Sequence, residues 1–221
     1  MLSISISAGA VSCAQELPTV DQVIEQRGAA ERRQPAGKGL VLLLKGNLET
    51  SNSQESGAFE IHISSPRVAM DLSDGALRSG FDGKELWRRQ RGQPAVVLPG
   101  GPLLEAIAVF DPVRRLRWRE IFPKIAVVRR QQLGGQDAFV LETEPGASGT
   151  LRFFIDAESG DLARAELMPG LTFDMFEYRS VSGWRIPFRV VQTSPQGSVY
   201  TFRADKAVAM DAIDDAVFSK P

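Results

Sequence analysis

The chain has few side chains suited to catalysis. Cys13 and His62 are its only cysteine and its only histidine among 221 residues. A structural zinc centre takes four N or S ligands and a catalytic one usually three from the protein, so zinc sites built on His and Cys are excluded. Ser-His-Asp or Cys-His machinery would have to use His62, and thiolate chemistry would have to use Cys13, 49 positions away. Carboxylate, Lys, Tyr and Arg chemistry survives this cut. The pairs Asp71 with Asp74, Glu142 with Glu144 and Asp214 with Asp215 sit by turns or at the terminus, without a spacing that converges on a substrate. Glu60 and His62 share one strand face and read as surface polar groups. Asp156-x-Glu158-x-Gly160 lacks the ligand number of a calcium loop. Neither Gly100-Gly101 nor Gly134-Gly135 opens a helix within a βαβ unit, as a nucleotide fingerprint would. Neither a catalytic residue nor a metal or cofactor site is expected.

Arginine is the exception to this scarcity, supplying 20 of the 26 basic residues in a chain whose net charge is -1. A near-neutral balance argues against a nucleic-acid binder, which normally carries a clear cationic excess. A local patch is still allowed. Arg114, Arg115, Arg117 and Arg119 form the densest cluster, with Arg88, Arg89, Arg91, Arg129 and Arg130 elsewhere. Such a cluster suits anionic lipid headgroups or a membrane surface, or equally a solvated face.

These residues are held by a chain that changes period early. Thr19 to Arg33 reads as a short amphipathic helix, with Thr19 or Asp21 as cap and Val20, Val23, Ile24 and Arg27 on one face. After Gln34-Pro35-Ala36-Gly37 the period drops to two, and turns punctuate most of the remaining chain. Strands are expected at residues 40–49, 57–63, 67–72, 76–81 and 84–90, then at 124–133, 137–143, 150–155, 162–168, 171–178, 184–192 and 198–203. The Asp82-Gly83 pair suits a tight hairpin turn. Phe59, Ile61 and Ile63 face one way while Glu60 and His62 face the other, the mark of a sheet wet on one side. Between the two groups of strands, residues 99–123 break the pattern. Leu103 to Phe110 and Val113 to Phe122 read as two short helices, inserted across the sheet. Roughly a dozen antiparallel strands in one domain is too many for a flat open sheet, so it must curl, close or split.

Residues 1–14 carry no charge and resemble the end of a secretory signal, with Ser12 and Ala14 at the -3 and -1 places and cleavage before Gln15. The alternatives are a tail strand, since Leu2, Ile4 and Ile6 alternate with serines, and a lipobox in Ala10-Val11-Ser12-Cys13 that would make Cys13 an acylated first residue. Residues 15–221 then form a single exported domain, expected as a monomer. No later segment offers 18 consecutive uncharged apolar residues for a membrane-spanning helix.

A helix ahead of a first long strand, Phe81-Asp82-Gly83-Lys84-Glu85-Leu86-Trp87, and Gly134-Gly135-Gln136-Asp137-Ala138-Phe139-Val140-Leu141 together resemble the outer-membrane lipoprotein-sorting protein-like family. So do Phe154-Ile155-Asp156-Ala157-Glu158-Ser159-Gly160, the run from Tyr178 to Phe188, and Ile213-Asp214-Asp215-Ala216-Val217-Phe218, in the same order along residues 19–221. The resemblance implies a mainly β fold: a strongly curved, unclosed antiparallel β-barrel around an apolar cavity, with a short N-terminal helix and a helical lid insertion. It also implies a non-enzymatic periplasmic carrier or chaperone for a lipid or the acyl chains of a lipoprotein, or a sensor that receives a partner protein of the envelope.

Such a cavity needs no polar machinery, because each buried methylene contributes roughly 0.8 kcal/mol. Candidate lining side chains on the strands are Phe59, Ile61, Ile63, Met70 and Leu86, then Phe153, Phe173, Phe188, Val190 and Phe202. Leu104, Ile107 and Phe110 would line it from the lid, with Gly100-Gly101 and Asp111-Pro112 as hinges. Trp87, Trp118 and Trp184 suit either the cavity mouth or the plain core.

Overall fold

A computed structural model describes residues 16–31, 40–51, 56–98, 111–146 and 149–221. It begins with helix α1 (Val20–Glu31), entered through a reciprocal cap. The Thr19 hydroxyl accepts from the Gln22 backbone N–H at 3.2 Å, and the Gln22 side chain accepts from the Thr19 N–H at 2.7 Å. Six strands come after it: β1 (Val41–Thr50), β2 (Gly57–Ser64), β3 (Arg67–Leu72), β4 (Leu77–Phe81), β5 (Leu86–Gln90) and β6 (Val96–Leu98). Two four-residue helices come next, α2 (Pro112–Arg115) and α3 (Trp118–Ile121). Seven further strands complete the chain: β7 (Ala126–Leu133), β8 (Gln136–Glu142), β9 (Arg152–Asp156), β10 (Leu162–Met168), β11 (Leu171–Val181), β12 (Trp184–Thr193) and β13 (Val199–Ala209).

The strands form one 13-stranded sheet in the order β6-β5-β4-β3-β2-β1-β13-β12-β11-β10-β9-β8-β7. Every neighbouring pair is antiparallel, so the sheet consists of two meanders fused where β1 meets β13. The fold is thus mainly β, and the curved sheet is not closed. Strand parity sets how the two edges are related. With an odd number of strands and strictly alternating directions, the edge strands β6 and β7 run the same way and cannot pair antiparallel. Joining two such strands takes a crossover of a dozen or more residues. Residues 99–125, which include α2 and α3, connect β6 to β7.

The seam between the meanders is close-packed. A Cβ added at Gly46 would lie 2.1 Å from the Arg203 carbonyl oxygen, and the register shifts between Lys45 and Gly46. Only glycine allows this approach of β1 to β13.

Several elements depart from the sequence expectation. β6 has no counterpart among the expected strands, because three residues are too few to show an alternation. β13 runs on to Ala209. The anticipated helix from Val113 to Phe122 is split in two: the Arg117 N–H closes on the Arg114 carbonyl at 2.9 Å and ends the first. Asp82-Gly83 lies in a four-residue link, where the Asp82 carboxylate accepts from the Lys84 and Glu85 N–H groups at 2.8 and 2.7 Å. The weakly periodic tail holds a 3-10 turn at Asp215–Val217 and buries Phe218 against the sheet.

Candidate functional site

Side chains on alternate positions of each strand meet in cross-strand rows. Leu42, Ile63, Val68, Phe81 and Leu86 stand in one row across β1 to β5, and Leu44, Ile61, Met70 and Ser79 in the next. From the other meander, Phe173, Ile186, Pro187, Val190, Gln192 and Phe202 face them. Between these two walls lies a cavity of about 250 Å³. Among the described residues, its polar side chains are Ser79 and Gln192. Gly80 completes the lining, and on its other side a Cβ would lie 2.7 Å from the Trp87 ring.

The expected lining residues divide into three groups. Ile61, Ile63, Met70, Leu86, Phe173, Val190 and Phe202 line the cavity. Phe59 and Phe188 are buried beside it in the same apolar cluster, with Phe59 edge-on to Phe202 at 5.7 Å. Phe153 belongs to a different cluster: Trp118 of α3 stacks on it at 4.4 Å and Phe122 packs at 5.6 Å. Its helical neighbours fill the space that a ligand would need. Leu104, Ile107, Phe110 and the Gly100-Gly101 hinge lie outside the described residues. The tryptophans are core residues rather than rim residues. Trp87 is fully buried, and its indole N–H donates to the Phe218 carbonyl at 2.8 Å.

Leu42, Leu44, Val68, Phe81, Ile186 and Pro187 join the lining without having been expected there. The alternation of Leu44 and Leu48 with Lys45, Asn47 and Glu49 is the sequence signal that could have found Leu42 and Leu44, and the β1-to-β5 register puts them in the cavity wall.

The arginine cluster of the insertion does not form an outward-facing patch. Arg115 is only 3% exposed and donates to the Tyr178 hydroxyl at 3.3 Å, which in turn donates to the Leu162 carbonyl at 2.8 Å. Arg117 pairs with Glu120 and Arg119 with Asp21 of α1, the latter at 3.0 Å. Arg114 is half-buried. The helical spacing turns Arg115 toward the sheet while leaving Arg117 and Arg119 outside.

One charged group lies beneath the insertion. Asp111 caps α2, accepting from the Val113 and Arg114 N–H groups at 2.9 and 3.4 Å, and has no exposed surface. Burial raises its carboxyl above the usual range, opposed by the Ser65 hydroxyl, the two backbone donors and Arg115. His62 lies 3.6 Å from Glu60, which also pairs with Lys45. Burial lowers the His62 imidazole against the opposing pull of Glu60. Among the described residues no three His, Cys, Asp or Glu side chains group as metal ligands, and no helix is long and apolar enough to cross a membrane.

Solved structures share this architecture. A LolA superfamily protein from Nitrosomonas europaea superposes with a TM-score of 0.59 at 12% identity, over 92% of this chain and 99% of that one. A Vibrio parahaemolyticus domain assigned to outer membrane lipoprotein sorting gives 0.54 at 12% identity, over 90% and 96%. The chain has the LolA-like fold. A DUF1329 family protein from Desulfovibrio piger gives 0.59 at 8% identity, over 90% and 97% of the two chains, so the LolA-like fold extends to proteins of very different sequence. No protein-family model and no curated protein matches the sequence.

Proposed function

We propose that this protein binds the acyl portion of a lipid, or of a lipidated protein, in the cavity between its two meanders and carries it through the periplasm after export. The supporting observation is a roughly 250 Å³ hollow walled by apolar side chains from both meanders, with Ser79 and Gln192 as its polar side chains among the described residues. A group placed there gains roughly 0.8 kcal/mol per methylene removed from water. Neither polar side chain is a general acid or base, which favours binding over catalysis. Transport would also require residues 99–123 to act as a lid, with Asp111-Pro112 as one hinge.

The test is native purification followed by lipid mass spectrometry, with uptake of a fluorescent fatty acid by the emptied protein. Wild type is expected to retain lipid and bind the probe, while Ile61→Trp, which fills the hollow, loses uptake without unfolding. Equal uptake by both would refute the reading. A partner-protein reading has one supporting observation: Val96 and Val97 of edge strand β6 are 52% and 47% exposed, as strand addition by a partner segment would use.

A further inference from the structure

The charges on the outward side of the sheet are self-neutralised over β7 to β10. Arg129, Glu142, Arg152 and Glu166 alternate across β7 to β10, with Arg129 and Arg152 each 2.9 Å from Glu142 and Arg152 3.5 Å from Glu166. Arg164 pairs with Asp174 at 2.6 Å.

Strands β11 to β13 break this pattern. Arg189 and Arg203 are direct cross-strand partners, an arrangement of like charges that destabilises a sheet unless something offsets it. Each precedes or follows by one position a residue that lines the cavity, Val190 and Phe202, so both point to the opposite, outward side. One carboxylate serves them: Glu177 accepts from Arg189 at 3.0 Å and from Arg203 at 3.3 Å, and lies 3.8 Å from Arg179. Among the described residues, no other carboxylate forms an ion pair with these three arginines.

Glu177 sits there at a cost, because its φ of 55° is a left-handed conformation that a residue with a long side chain seldom adopts. Two of the arginines are also held by aromatic rings. Arg189 lies 3.9 Å from the centroid of Phe176, and Arg179 lies 4.2 Å from that of Phe188. Their side chains stay between 30% and 56% exposed, and Phe176 itself is 38% exposed. The result is a pre-ordered fork of three guanidiniums with two uncompensated positive charges, next to an exposed aromatic ring.

We infer that Arg179, Arg189 and Arg203 form a docking site for the phosphate headgroups of an anionic bilayer, with Phe176 as its apolar contact. Guanidiniums match phosphate oxygens through paired N–H donors, and an aromatic ring suits the headgroup level of a membrane. A broad, outward and partly apolar surface fits a bilayer better than a free ion. Arg189, Arg203 and Phe176 lie across the sheet from the cavity, while Arg179 stands at the edge of the site, opposite Ile186 in register and against Phe188.

The full chain should be floated with phosphatidylcholine vesicles with and without phosphatidylglycerol. Binding is expected only to the anionic vesicles, falling with added salt and dropping about fivefold for each of Arg179→Gln, Arg189→Gln and Arg203→Gln. Glu177→Gln supplies the opposite sign: it removes the shared carboxylate and should strengthen binding by a similar factor, which damage to the fold would not do. Weaker binding by Glu177→Gln, equal binding to neutral vesicles, or calorimetric binding of inorganic phosphate without vesicle binding would each overturn the proposal. Ile61→Trp should leave vesicle binding unchanged, so the docking surface and the cavity stand or fall separately.

Discussion

The two ends of the concave surface have the same strand chemistry but opposite packing. Over β8 to β11 the surface is filled: Val20 and Val23 of α1, with Trp118 and Phe122 from the insertion, pack onto Leu141, Phe153 and Leu162. Over β1 to β5 and β12 to β13, Val113 and Leu116 of the α2 segment are the helical side chains among the described residues that reach the apolar cluster, and a hollow lies between the walls. Among the described residues, an apolar sheet face thus makes a core where α1 and the insertion pack on it, and encloses a cavity where the two meanders face each other.

The largest consequence should appear in truncations. Phe153→Ala in the filled half should cost about 3–5 kcal/mol by equilibrium denaturation, because its ring meets atoms on every side. Ile61→Ala, in a wall that already lacks partner atoms on one side, should cost about 2 kcal/mol or less. Similar losses at the two sites would remove the contrast.

The seam offers an intermediate effect. Gly46→Ala places a methyl group on the Arg203 carbonyl, and should cost about 1–3 kcal/mol through local overpacking. Fluorescence and circular dichroism should still report one shared transition. Two separate transitions would show that the filled and hollow halves fold independently.

The smallest effect concerns α2, the helical contribution to the hollow half among the described residues. Asp111 binds its proton more tightly when folded than when unfolded, because burial raises its carboxyl. Its contribution is therefore fully present at pH below the ordinary carboxylate range and is lost as pH rises through the raised value. Asp111→Asn keeps a capping oxygen, so stability at acidic pH should change by no more than a few tenths of a kcal/mol. The decline just above the carboxylate range should disappear. A variant whose stability follows the wild-type pH curve would place the charge elsewhere.

Much of the fold is legible in the chain itself. Thr19 with Gln22 announces a helix start, and Leu162 to Met168 reads as a strand with the bounds it has. Turn residues mark most strand ends, because Gly, Pro, Asp and Ser act through local backbone preferences. The site is only partly legible. Ile61 and Ile63 can be oriented by alternation with Glu60 and His62, and Leu42 and Leu44 by Lys45, Asn47 and Glu49 further along their strand, but alternation says nothing of which strands face each other across the hollow. Phe153 looks in sequence like any other inward aromatic, and only the docking of Trp118 makes it core. Arg115 resembles its exposed neighbours until helix α2 turns it toward Tyr178.

The excluded chemistries and the repeating element come from the sequence alone: one histidine and one cysteine rule out zinc sites built on them, and a period of two with frequent turns calls for an antiparallel sheet. Where that sheet is hollow, and where its charges are left uncompensated, is a matter of tertiary structure. Both depend on which strands become neighbours and which helices settle on them. Leu44 meets Ile61 by register, and Arg189 meets Arg203 across strands whose pairing no local pattern encodes. Cavities and charge surpluses are properties of such non-local neighbours, and those exist only once the chain has closed its long loops.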